Sequence, residues 1–287
     1  MNSFPYEEAD GRRVSEQYAV KVMDAFCKQH QNGCFNGGQL VVRHEGRVVI
    51  NLAVGEGASL DAARRISVKP STLFPVYSAG KPMVVLCVAP LKYPHGTFAY
   101  MPGEYGWILS ALVQKVTGCS LASFFVREFS EPLGLRDMYY CLGDDMPKDI
   151  VLSQWLGKPV EMIAGANAAS LAGFYDFLLN RGKTRDGVQL LLAELVDAYT
   201  QRQVAGWNKS LSTYLSISRG FMRGTLLPSS FGWWNSGDCF GHAGAFSVLA
   251  FADIKKDLSV AIVTNCNAGI SDFFKRFISL AQLIRRV

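Results

Sequence analysis

The chain lacks a Cys-x-x-Cys pair, and its seven cysteines, from Cys27 to Cys266, are odd in number. A disulfide framework or a zinc site is therefore not expected, and free thiols in a reducing compartment are. Histidine is scarce. His30, His44, His95 and His242 are the only four, with no metal-ligand spacing among them. No metal or cofactor is expected. No apolar run approaches the roughly 18 residues a membrane span needs. The opening MNSFPYEEADGRR has no apolar core of a secretory signal. A cytoplasmic protein without a membrane span is the expectation. Charge of one sign is also in short supply: the net charge is +5, with basic residues scattered apart from Arg285-Arg286. That pattern gives no reason to expect nucleic acid as a partner. The G-x-S-x-G elbow, the P-loop and the G-x-G-x-x-G fingerprint are all missing, which argues against an α/β-hydrolase triad and against nucleotide folds.

What is present suits a globular chain with a sizeable core. Of 287 residues, 49% are hydrophobic and 18% charged, enough for one large domain or two intergrown ones. Residues 14–31 place Tyr18, Val22 and Phe26 at helical spacing. The run LVVRHEGRVVINLAVG predicts a β-hairpin turning at Glu45-Gly46. A second hairpin is predicted from Ala245 to Asp253 and Leu258 to Thr264, turning at Lys255-Lys256-Asp257. A last helix, Ser271 to Ile284, sets Phe274, Phe277, Ile278 and Ala281 on one side. Helix, hairpin, central region, hairpin, helix implies an α+β fold: an antiparallel sheet closed by both chain ends, with the terminal helices on one face. The centre reads as mostly helical. Tyr105 to Val116 ends at Gly118, Ser120 caps the next helix, Ala168 to Asn180 ends at Gly182, and Asp186 to Thr200 forms another. The whole chain, 1–287, is read as a single unit. Its α/β part spans about 1–85 and 220–287, and its helical part about 86–219.

The motif with the most chemistry is Ser78-Ala79-Gly80-Lys81 in TLFPVYSAGKPMVVL, where a strand-like run meets a helix-like run. In a helix starting at Ser78, Ser78 and Lys81 share a face. An amine beside a hydroxyl is one way to activate a weak alcohol as a nucleophile. Lysine serves as a base only when burial or nearby cations lower its pKa. At a helix start the Ser78 N–H is free to face an anion. Two further segments accompany this motif in order: Tyr100-Met101-Pro102 with Tyr105-Gly106-Trp107, and Gly241-His242-Ala243-Gly244-Ala245. Gly244 would let its strand edge approach a substrate closely.

These three segments and their flanks, from about Gln39 to Asn267, resemble the serine β-lactamase-like superfamily of class C β-lactamases, DD-peptidases and related carboxylesterases. The esterase branch is the most similar. The resemblance implies an α/β domain plus a helical region with the active site between them. It implies Ser78 as nucleophile, Lys81 as its base partner and Tyr100 as proton shuttle. His242 stands where β-lactamases carry the lysine of Lys-Thr-Gly, and would orient Tyr100 or polarise the substrate. The amides of Ser78 and Ala245 would form the oxyanion hole beside Gly244. Asn167 borders such a site in the family, and Trp233 and Trp234 are candidates to line an acyl pocket.

Two departures bear on activity. Pro102 replaces the asparagine of the β-lactamase Tyr-x-Asn pattern, which points away from β-lactams and toward a small-molecule ester or acyl substrate. The stretch between Ser78 and Tyr100 is also much shorter than in typical members, so a catalytically inactive binding homologue is one reading of the chain. Acyl transfer to an alcohol or amine is another, and a β-lactamase or DD-peptidase type of amidase is a third. The sequence leaves the oligomeric state open.

Overall fold

A computed structural model describes residues 14–59, 64–79, 97, 104–135, 137–140, 150–151, 154–155, 158–159, 164–233, 237–244, 247–267 and 270–287. The described elements begin with helix α1 (Glu16–Gln31) and strands β1 (Gly37–His44), β2 (Arg47–Ala58), β3 (Arg65–Ser67) and β4 (Phe74–Pro75). Helices α2 (Glu104–Thr117) and α3 (Leu121–Phe125) follow, then the short strands β5 (Met138–Tyr140), β6 (Gln154–Trp155), β7 (Lys158–Pro159) and β8 (Ala164–Ala166). Next come α4 (Ala168–Leu179), α5 (Ala193–Thr200), β9 (Val204–Asn208), β10 (Thr213–Ile217), β11 (Met222–Arg223), β12 (Cys239–Gly244) and β13 (Val248–Asp253). The chain closes with β14 (Leu258–Thr264), β15 (Cys266–Asn267) and α6 (Ile270–Ile284).

Nine strands form one antiparallel sheet in the order β3-β2-β1-β14-β13-β12-β11-β10-β9. The first hairpin turns at Glu45-Gly46, both at positive φ (46° and 73°), as a two-residue hairpin of primed type requires. Strand β1 pairs with β14, Leu40 opposite Ile262, so N-terminal and C-terminal hairpins sit side by side at the sheet centre. Both terminal helices lie on one face. There Ala19, Val22 and Phe26 of α1 and Phe277, Leu280 and Ala281 of α6 meet Leu40, Val42, Leu249, Phe251, Val260 and Ile262. The Tyr18 hydroxyl donates to Ile284 O (2.5 Å), and Arg285 Nε to the buried Asp253 carboxylate (2.6 Å). Helix α4 covers the opposite face, with Leu171, Ala172 and Tyr175 against Val41, Ala250 and Ala261.

Helix caps follow the sequence closely. The Ser15 side chain accepts from Tyr18 N, Ser120 from Ser123 N and Asn167 from Ser170 N. Two expectations need correction. The helix read over Asp186 to Thr200 begins only at Ala193. Gly187 sits at φ +92°, and the Thr184 hydroxyl accepts from Val188 N (2.9 Å) while Thr184 N donates to Val188 O (2.8 Å). That turn uses backbone groups a helix would need. Residues 204–217, read as part of a helical centre, form the outermost hairpin of the main sheet. The Asn208 side chain accepts from Leu211 N (3.0 Å) and Ser212 takes φ +48°, which together reverse the chain.

Candidate active site

Ser78 lies in the tight turn at 77–79, just after β4. Strand β4 pairs with β8, Phe74 opposite Ala166, and β8 leads directly into Asn167 and α4. The turn is closed by Ala79 N donating to Val76 O (2.9 Å). Val76 and Ala79 are buried, and Ser78 between them is half-buried. Tyr77, immediately before Ser78, sits at φ +47°. A non-glycine residue in this left-handed region costs on the order of 1–3 kcal/mol and persists where the surroundings enforce it. No local signal announces this strain, because tyrosine is not a residue that favours such a turn.

The end of β12 meets this turn backbone to backbone. A Cβ placed on Gly244 would lie 2.2 Å from Val76 O and 3.2 Å from Ala79 N. Only glycine fits at that separation. The Gly244 main chain thus packs against the segment carrying Ser78. The Gly244 carbonyl accepts from Ser247 N (3.0 Å), and Ser247 O accepts from Thr264 N (2.9 Å) and Thr264 Oγ1 (2.8 Å). These bonds lock the strand end to β14.

His242 stands two residues before Gly244, on the α4 side of the sheet, and is 3% exposed. Its Nδ1 donates to Ala243 O (2.7 Å). The wholly buried Tyr175 of α4 aims its hydroxyl at the His242 main chain but falls short of a hydrogen bond. Burial raises the Tyr175 pKa well above the ordinary phenol value, so it stays neutral.

Gln39 ties these parts together, and its role was not legible in the sequence. Its Nε2 donates to Lys69 O (2.6 Å) and Thr72 O (2.8 Å), on the approach to β4, while its Oε1 accepts from Ala168 N (2.8 Å) at the start of α4. One buried amide thus ties the segment leading to Ser78, the main sheet and α4 together. Asn167 caps α4 and donates to Asp137 Oδ2 (2.8 Å), a structural duty that accounts for its burial. Trp233 is 45% exposed, and its main chain binds Gln282 and Arg285 beyond the face opposite His242.

The structure therefore brings Ser78, Gly244 and His242 into one neighbourhood. Lys81, Tyr100, Ala245 and Trp234 lie outside the described residues, as does the helix expected to start at Ser78. Among the described residues no cluster of three or more His, Cys, Asp or Glu could hold a metal ion. None of their helices is long and apolar enough to cross a membrane.

The family model named Beta-lactamase matches residues 88–284. Ser78 and Lys81 fall just ahead of that span, while Tyr100, His242, Gly244 and Ala245 fall within it. Among solved structures, the chain is similar to a penicillin-binding protein homologue from Caulobacter crescentus (TM-score 0.78, 19% identity, 96% of this chain and 98% of that one). It is also similar to a family VIII carboxylesterase (TM-score 0.75, 18% identity, 94% and 98%). A third is EstCE1, a hydrolase with promiscuous acyltransferase activity (TM-score 0.69, 14% identity, 95% and 100%). At these identities the likeness is one of fold. No curated protein matches the chain significantly.

Proposed function

This chain belongs to the Beta-lactamase family of serine hydrolases, and from that premise we propose that it cleaves carboxylic esters through an acyl-serine intermediate. The observation that carries the reading is the contact of Gly244 with the turn holding Ser78, with His242 two residues away on the same strand face. In the proposed reaction Ser78 Oγ attacks the ester carbonyl while Lys81, neutral, takes its proton. The carbonyl oxygen becomes an oxyanion held by the Ser78 and Ala245 amides. Each such donor contributes about 2.7–4 kcal/mol to transition-state stabilisation. The C–O bond to the alcohol breaks, Tyr100 gives its proton to the departing alkoxide, and Lys81 passes the Ser78 proton to Tyr100 and becomes neutral again. Water then attacks the acyl-serine and loses a proton to the same base. The acid leaves and Ser78 is regenerated.

The test is labelling with a fluorophosphonate probe followed by peptide mass spectrometry, alongside hydrolysis of short p-nitrophenyl esters. Ser78 should carry the label. Label on another residue, or ester hydrolysis that survives Ser78→Ala, overturns the assignment. An inactive binding homologue would give neither label nor turnover. Lys81→Arg keeps the charge but cannot deprotonate at working pH, so it should be nearly inactive while folded. Wild-type activity should rise with pH as Lys81 loses its proton. Acyl transfer is the second reading, favoured by the fold shared with a hydrolase of promiscuous acyltransferase activity. It uses the same residues, with an alcohol or amine replacing water, and product analysis with added alcohols separates the two.

A further inference from the structure

We propose that this chain forms a twofold dimer in which strand β9 pairs antiparallel with β9 of a second copy, centred on Gly206. The proposal is independent of the hydrolase reading above.

The two edges of the nine-stranded sheet are unlike. At one edge β3 is three residues long, follows Arg64, and carries Arg65 in an ion pair with Glu56 (2.6 Å). A short, charged strand is one way a sheet edge resists pairing with another chain. At the other edge β9 reads Val-Ala-Gly-Trp-Asn, with neither charge nor proline. No strand lies on its outer side among the described residues. Its Trp207 is 68% exposed, and Tyr214, directly across from it on β10, is 42% exposed. An unguarded edge beside exposed aromatic side chains is a template for strand addition.

The sequence of β9 selects a second copy as the occupant. Antiparallel pairing about Gly206 sets Ala205 opposite the partner's Trp207, and Val204 opposite the partner's Asn208. The flanking cations avoid each other: Lys209 falls opposite the partner's Gln203, and Arg202 opposite the partner's Ser210. No like charges meet, a juxtaposition that would destabilise the pair, and a large side chain meets a small one on each side of the axis. A twofold axis makes each of these contacts twice from one patch. The strand registers say which face is covered. Val204 lies opposite Ile217, and Ile217 opposite Met222, which packs against the core under α1 and α6. Alternation therefore puts Ala205 and Trp207 on the α4 face. Beside Ala205 a cavity of about 760 Å³ opens, and Tyr214, Leu226 and Leu227 are among the residues lining it. Leu226 and Leu227 are more than half exposed. The partner's Trp207, lying over Ala205, covers this apolar rim. Two short strands with a few apolar side chains make a small interface, near the roughly 1,200 Å² at which stable ones begin, so dissociation in the micromolar range is expected.

Sedimentation velocity of the intact protein over about 1–100 µM reads the assembly directly. The wild type should pass from monomer to dimer across that range. Ala205→Lys and Trp207→Glu, both at exposed positions, should each raise the dimer Kd by about tenfold or more and keep the thermal transition. An equimolar mixture of the two variants should dimerise more tightly than either alone. In the mixed dimer one Ala–Trp pair survives, and at the other the new lysine faces the new glutamate. Gly206→Cys tests the register. Directly opposed residues of an antiparallel pair have Cα atoms about 4.5–5.5 Å apart, within reach of a disulfide. Oxidation with copper phenanthroline should therefore give a covalent dimer joined at position 206 by peptide mapping, with no counterpart in the wild type. This variant carries the test if the other two lose their thermal transition. A wild type that stays monomeric throughout or assembles beyond a dimer overturns the proposal. So do a dimer that neither charged variant weakens and a crosslink confined to the native cysteines.

Discussion

On the face covered by α1 and α6, the central strands present Leu40, Val42, Leu249, Phe251, Val260 and Ile262. On the face covered by α4, the same strands present Val41, Val248, Ala250, Ala252, Ala261 and Val263. The alternation of side chains along each strand makes both sets from one stretch of sequence. Large aliphatic groups hold two amphipathic helices on the first face. Small groups on the second let one apolar helix come close, with its own Ala168, Ala172 and Tyr175 filling the space. That second face also carries the polar groups that organise the site: Gln39, Asn167 and His242 are all buried there. The first face stores stability, and the second places chemistry.

The sharpest separation of the two is Ser78→Ala. It should lower kcat/KM by at least about a thousandfold and leave the thermal midpoint within a few degrees, since a half-buried hydroxyl is all that is lost. A large stability loss would mean that Ser78 belongs to the packing. Phe251→Ala, on the α1/α6 face, should cost about 3–5 kcal/mol in urea unfolding. Its kcat/KM per folded molecule should stay within a fewfold of wild type, and a change in KM would break the division between faces. Gly244→Ala should do the reverse. Its methyl must push the Val76 to Ala79 turn by roughly an ångström, a displacement that costs about a hundredfold in kcat/KM. Unfolding should shift less than in Phe251→Ala. The smallest effect is expected of Ala261→Leu, overpacking under α4. It should cost about 1–3 kcal/mol, with a loss of activity that Phe251→Ala does not share.

Much of the first face was legible in the sequence, because periodicity and turn chemistry are local signals. The helix ending at Gln31, the hairpin at Glu45-Gly46 and the last helix stand where their patterns put them. The hairpin at 204–217 was not legible. Its turn depends on one Asn208 side chain, and its pairing partner β11 is only two residues long. The second face was legible mainly as motifs. Ser78 and Gly244 could be named, but not that Gly244 packs against Val76 and Ala79 on either side of Ser78, because that contact depends on distant segments that Gln39 ties together. Tyr77 was missed for a related reason: its left-handed backbone is imposed by tertiary context and favoured by nothing in the local sequence.

The pairing of β1 with β14 has a consequence for how the chain is made. Leu40 waits for Ile262, and at a synthesis rate of about 5–20 residues per second the wait is roughly ten to forty seconds. Over that interval the first hairpin has an apolar face and an open edge with no sheet to join. Such strands are prone to pair with the wrong neighbour. Sheets dominated by long-range pairing also close slowly. Yield on overexpression should therefore depend on chaperone supply and temperature more than on the stability of the finished fold.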